Sequence, residues 1–215
     1  MATYTFVNID EPYTADLADL WGIQEDLTSA RAFTHLLQQA YPMNGPQDMA
    51  LLDALSTAIV IRYCRPFSSG RRLRLEEETL AIFSPEQRAK HDHFSGIRDK
   101  HAAHAVSAFE ESQPLARYTL ERVEQEGITS ITVNHAKVVG LSHRDQKDMI
   151  ELTTTLIEHV GARIAAEQAK ILTYVRSFPV REFLADKKAR PPRLNSSDPQ
   201  QKRPDLRNPK NRDTE

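Results

Sequence analysis

Cysteine is almost absent from this chain. Cys64 is the only one in 215 residues, which excludes an intramolecular disulfide and any zinc site built on several thiolates. A lone thiol of this kind is expected to be buried and inert. Long apolar runs are lacking as well: no stretch approaches the roughly eighteen residues that a bilayer-spanning helix needs, so no membrane partner is expected. The start, MATYTFVNIDEPY, has no basic segment followed by an apolar stretch and a small-residue cleavage site, and a cytoplasmic location is the expectation. Also missing are an internal repeat, a glycine-rich nucleotide-binding motif, a coiled-coil heptad and an HExxH zinc pattern. What is present is apolar content of 40%, enough to bury one sizeable core.

The formal net charge of −2 hides an asymmetry. Residues 187–215 carry 9 of the 28 Lys and Arg but 4 of the 30 Asp and Glu, so this tail is near +5 and the rest near −7. Rich in Pro, Asn, Asp and Arg, with Leu194 and Leu206 as its large aliphatics, the tail cannot offset its ordering entropy by burial. The expected organisation is one helical domain over 1–186 and a disordered basic tail over 187–215. Such a tail either helps to hold a polyanion by counterion release or only keeps the chain in solution.

Hydrophobic spacing predicts four long helices. Leu17, Leu20, Ile23, Leu27, Ala30, Phe33 and Leu37 recur at steps of three and four, which places them on one face of a helix from about Thr14 to Ala40. After a Pro and Gly turn, a second helix is expected from about Gln47 to Arg65. It is apolar on most sides (Leu51, Leu52, Leu55, Ala58, Ile59, Val60, Ile61), which argues for a central place in the bundle. The third starts at Ser84, where a capping serine, Pro85 at the first helical position and Gln87 three residues after the cap combine, and it is expected to reach about Glu111. Residues 128–140, with Ile128, Ile131, Val133, Val138 and Val139 among Gly and Asn breakers, suggest a small inserted β-hairpin. A fourth helix follows from Ser142, with Asp145 three residues on, and ends near Phe178. Gly161 inside it marks either a close helix crossing or a bend.

Two clusters carry candidate chemistry. Between Arg62 and Arg74 lie five arginines (Arg62, Arg65, Arg71, Arg72, Arg74) and no acid, which reads as a phosphate-contacting patch or as a solvated loop balanced by Glu76, Glu77 and Glu78. The second, HDHFSGIRDKHAAHAVSA over residues 91–108, gathers four of the eight histidines around Arg98. His101 and His104 have the spacing of metal ligands on a helix, with His91, Asp92 or His93 upstream, but Arg98 between them opposes a cation. A solvated helix rich in histidine is the bland alternative. The third reading is RNA cleavage. Attack of a ribose 2′-hydroxyl on the adjacent phosphate needs a group that moves protons near neutral pH and a permanent cation that grips phosphate oxygens, jobs suited to histidine and arginine. Arg98 and His104 would lie about 9 Å apart along a helix and about 120° apart around it, a gap that two facing copies would close better than one.

The stretch Ile97-Arg98-Asp99-Lys100-His101-Ala102-Ala103-His104 resembles the signature of the HEPN superfamily, an arginine followed by a polar residue and, after four to six intervening positions, a histidine. The local form is similar to that of the abortive-infection branch of bacterial defence loci. The resemblance implies a mainly all-α, HEPN-like bundle of about four long helices, here with a small β-hairpin insertion, over about Thr14 to Arg176. It also implies a homodimer whose two motifs form one cleft, and metal-independent endoribonuclease activity, as in an RNase-like toxin of a phage-defence or toxin–antitoxin system. Arg98 and His104 match the two motif positions and Asp99 the polar one. Arg65, Arg71, Arg72, Arg74 and His101 are the expected RNA-contacting residues. RNA and an antitoxin protein are the expected partners, with no cofactor and no metal. Some HEPN proteins have lost catalysis, so the alternative is a non-catalytic helical dimer that binds RNA, nucleotide or a protein partner.

Overall fold

A computed structural model of the chain describes residues 6–9, 11–41, 48–70, 72–99, 110–185, 187 and 207. Along them run α1 (Ala15–Ala40), α2 (Met49–Cys64), α3 (Glu77–Leu80), α4 (Pro85–Ile97), β1 (Glu110–Arg117), α5 (Val123–Glu126), β2 (Ser130–Lys137), α6 (His143–Arg176) and α7 (Val180–Leu184). The chain is therefore mainly helical with one small antiparallel sheet. No helix among the described residues is long and apolar enough to cross a membrane.

The core forms around α1, which lies along both α2 and α6. Of the expected stripe, Leu20, Ile23, Leu27, Ala30 and Leu37 are buried at helical spacing while Leu17 and Phe33 pack half-buried against the core, and Thr34 is buried besides. Opposite them, α6 buries Met149, Leu152, Leu156, Val160 and Ile164. The central helix is thus α1 and not α2: the all-round apolar character of α2 reflects burial on one face, while Met49 and Leu51 remain exposed on another. Gly161 does not mark a close crossing, since a Cβ built there meets nothing within 4 Å.

Both helix starts read from capping patterns are present. Ser84 accepts from the Gln87 N–H and the Gln87 side chain accepts from the Ser84 N–H, and Ser142 and Asp145 do the same at the start of α6. Helix α4 ends at Ile97, and Arg98 and Asp99 continue it as a wider π-type turn. It does not reach Glu111 as a helix, because Glu110 and Glu111 already belong to β1. Pro114, in the middle of that strand, cannot occupy a helix interior.

The hairpin differs from expectation in its pairing. Residues 128–140 contribute one strand, β2, which runs through Asn134 without turning. Its antiparallel partner is β1, with Pro114 opposite Val133 and Ala116 opposite Ile131. All residues of both strands are exposed, so the hairpin is an appendage of the bundle. Its exit is anchored at Leu141: the Leu141 N–H donates to Ser56 Oγ (2.9 Å), and its carbonyl accepts from Tyr41 Oη (3.2 Å) and Gln146 Nε2 (2.8 Å). Gly140 is required there. Its φ is +85°, and a Cβ would lie 2.3 Å from the Tyr41 hydroxyl oxygen.

The expected disorder of 187–215 lies outside the described residues, apart from two. Lys187 pairs with Glu11 at 2.8 Å, and Arg207 pairs with Asp16 (2.5 Å) and Asp19 (2.8 Å).

Candidate functional site

Arg98 stands at the end of α4, with its side chain one-third exposed. The π-type turn that holds it is a distortion found often at functional positions. Asp99 accepts from Arg98 Nε at 2.7 Å and pairs with Nη2 as well, while Nη1 donates to Ser68 Oγ at 2.9 Å. Ser68 Oγ in turn donates to the Cys64 carbonyl at 3.2 Å, so the guanidinium is braced against the turn that follows α2. Asp99 thus braces the Arg98 side chain, and it also fills the Nε/Nη2 edge of the arginine. His101 and His104 lie outside the described residues.

The upstream histidines have ordinary structural partners. His91 is buried beneath Tyr63, Phe67 and Phe83, with Nδ1 2.9 Å from Tyr63 Oη and Nε2 3.4 Å from Ser95 Oγ. Burial lowers its pKa, since charging the ring would place a cation in the core, and burial likewise raises that of Tyr63. His93 joins α4 to α6 through Asp145 (3.2 Å), whose other oxygen is already committed to the cap of α6. Among the described residues no group of three His, Cys, Asp or Glu is arranged to hold a metal ion. Cys64 is buried as expected, and desolvation pushes its thiol up to about 12, far from a reactive thiolate.

The arginine segment is organised by a residue on another helix. Asp26 of α1 is 2% exposed, and three guanidinium groups converge on its carboxylate. Arg62 Nη1 and Arg65 Nη1 reach Oδ1 at 2.8 and 3.2 Å, and Arg72 Nη2 reaches Oδ2 at 2.8 Å. Arg74 lies apart, 3.6 Å from Glu76, and Arg71 lies outside the described residues. Asp19, one heptad before Asp26 on the same face, accepts the Leu73 N–H at 2.9 Å. Two acids of α1 therefore hold the segment that follows α2.

Asp26 and Ser68 were the residues not picked out from the sequence. A signal for Asp26 exists: it interrupts the apolar stripe of α1 at a position that periodicity assigns to the core, and a buried acid requires cationic partners. Ser68 has no such signal, because its role depends on the return of α4 to the end of α2.

A cleft of about 140 Å³ opens between α2, α4 and the β2–α6 connection. Its floor is apolar (Val60, Ile97, Val138, Leu141), with His93 and Asp145 at its edge. The His93–Asp145 pair links α4 to the capped start of α6 at this edge. No protein-family model, no curated protein and no solved structure matches the chain.

Proposed function

We propose that the protein is a metal-independent endoribonuclease of the HEPN type, acting as a homodimer in a bacterial defence or toxin–antitoxin system with an antitoxin protein as its partner. The observation that carries this reading is the placement of Arg98. Its guanidinium is held by Asp99 and Ser68 at a partly open helix end, in the motif whose second member is His104. In the reaction a ribose 2′-oxygen attacks the adjacent phosphorus and the 5′-oxygen leaves. Histidine serves the proton transfers, and arginine stabilises the charge that accumulates on the phosphate oxygens. A group positioned before the reaction contributes more than one that must first be ordered, which is the use of the Asp99 and Ser68 contacts.

The test is cleavage of single-stranded RNA by purified protein in excess chelator. His104→Ala is expected to lower the rate by about 10²- to 10⁴-fold with folding intact. Arg98→Lys is expected to be strongly impaired, because an ammonium keeps the charge but loses the planar fork. His101→Ala, outside the motif positions, is expected to change less. Unchanged cleavage by His104→Ala, or cleavage only with added divalent metal, refutes the mechanism.

One observation favours a second reading, a non-catalytic helical dimer that binds RNA, nucleotide or a protein partner. Asp99 occupies the edge of Arg98 that would grip phosphate in the two-pronged manner. Asp99→Ala separates the two. It lowers turnover if Asp99 orients a catalytic arginine, and it strengthens binding without turnover if Asp99 only masks the arginine.

A further inference from the structure

The convergence of Arg62, Arg65 and Arg72 on Asp26 presents more positive charge than the buried carboxylate requires. One guanidinium would neutralise Asp26, yet three lie within 3.2 Å of it. No other acid among the described residues forms an ion pair with any of the three, so among those residues three guanidinium groups share one carboxylate, a surplus of two positive charges. Arg62 and Arg65 reach the same oxygen, which brings two like charges close together at a half-open surface: their side chains are 38% and 51% exposed. Such an arrangement is costly without an anion outside it and favourable with one.

The cluster is also preformed. Arg72 lies against α1 over Gly22, where a Cβ would come within 3.2 Å of its Nη1. The chain that follows it is pinned by the Leu73 N–H on Asp19 (2.9 Å) and by the Leu75 N–H on the Pro66 carbonyl (2.7 Å). Each guanidinium spends one nitrogen on Asp26 and retains further N–H donors. Arg65 begins the turn that ends at Ser68, the residue that braces Arg98, so the cluster adjoins the candidate catalytic arginine along one short segment.

From this we infer that Arg62, Arg65 and Arg72, held in place by Asp26, form a phosphate-binding subsite that takes a backbone phosphodiester of single-stranded RNA next to the bond held at Arg98. The identity of the ligand as RNA rests on the function proposed above, whereas the charge surplus does not. Arg65 is the contact best suited to a test. It is the most exposed of the three and the farthest from Asp26, so its removal leaves the carboxylate neutralised by two arginines at 2.8 Å.

The experiment is equilibrium binding of a labelled single-stranded RNA to full-length His104→Ala protein, with and without Arg65→Gln, over a range of salt concentrations. Loss of one phosphate contact is expected to reduce the slope of log K against log salt by about 0.7, equivalent to about fivefold weaker binding at 0.1 M salt. Arg65→Lys should keep most of the slope, and the melting temperatures should stay within about 2 °C of the parent. Unchanged affinity and slope in Arg65→Gln overturn the subsite, even if cleavage depends on His104. Unfolding of Arg65→Gln with normal RNA binding by the folded fraction overturns it too, as that is a purely structural clamp. Inorganic phosphate and a nucleoside monophosphate are the competing probes. Displacement of RNA by either at micromolar concentration overturns the backbone assignment in favour of a free-phosphate or nucleotide site. RNA binding that depends on Arg65 in a protein that cleaves nothing upholds the subsite and refutes the nuclease.

Discussion

Replacing Asp26 with Asn keeps the shape of the side chain and removes its charge beneath three arginines. The carboxylate is 3% exposed as a side chain, accepts from Arg62 and Arg72 and forms an ion pair with Arg65, so the lost interactions are two charge-assisted hydrogen bonds and one further ion pair at a desolvated acceptor. Breaking a fully buried pair by removing one partner costs about 3–5 kcal/mol. Two of the three arginines here are more than one-third exposed, and water screens part of the repulsion left among them. A loss of about 2–4 kcal/mol is therefore expected, equivalent to roughly 5–15 °C in melting temperature for a chain of this size. Urea unfolding and thermal melting measure it directly. High salt should restore part of the loss, because mobile anions screen the three cations once their fixed counterion is gone. A loss below about 1 kcal/mol, or one indifferent to salt, would show that Asp26 does not organise the arginine segment.

Three further outcomes follow from particular residues. Because burial lowers the pKa of His91 from its ordinary 6.5, the fold holds this ring neutral; its contribution is complete above about 6.5 and is lost as pH falls from there toward the lower folded value. The partly buried His159 shifts in the same direction, so melting temperature should fall between pH 7 and 5 and fall less steeply in His91→Gln; an equal pH dependence in that variant contradicts the burial argument. Gly161→Ala should stabilise the chain by about 0.5–1 kcal/mol, since a Cβ there meets no neighbour and glycine is costly inside a helix; destabilisation would reveal a contact from a second copy. Truncation after Ala185 should cost about 1–2 kcal/mol, since Lys187–Glu11 and Arg207–Asp16 are partly exposed pairs but Arg207–Asp19 ends on a carboxylate only 6% exposed, and a loss above about 3 kcal/mol on thermal melting would mean that more of the tail docks on the body.

What could be read from the sequence was what repeats or caps. The stripe of α1, the capping boxes at Ser84 and Ser142, and the extent of α6 all follow from local chemistry, and the structure places them within a residue or two of expectation. Strand β1 escaped, because EESQPLAR has little of the β-branched and aromatic character that marks a strand and is held by its pairing with Ser130–Lys137. The place of α2 beside α1 is not legible locally, since apolar residues all round a helix do not say which neighbour covers them. At the candidate site, the contact of Arg98 with Asp99 joins neighbours in the chain, whereas Asp26 shows in the sequence only as an acid interrupting the α1 stripe, with nothing to say which cations meet it. The reach of Arg62, Arg65 and Arg72 to Asp26 is a contact across more than thirty residues, and no local pattern encodes it.

The central claim is that Arg98 and His104 carry out metal-free transesterification of RNA. It is tested most directly by the chemistry of the product ends: a labelled single-stranded RNA is incubated with purified protein in excess chelator and its termini are identified. The account predicts 2′,3′-cyclic phosphate and 5′-hydroxyl ends from the wild-type protein and almost none from His104→Ala. Ends of 3′-hydroxyl and 5′-phosphate, or equal yields of cyclic phosphate from His104→Ala, would contradict it.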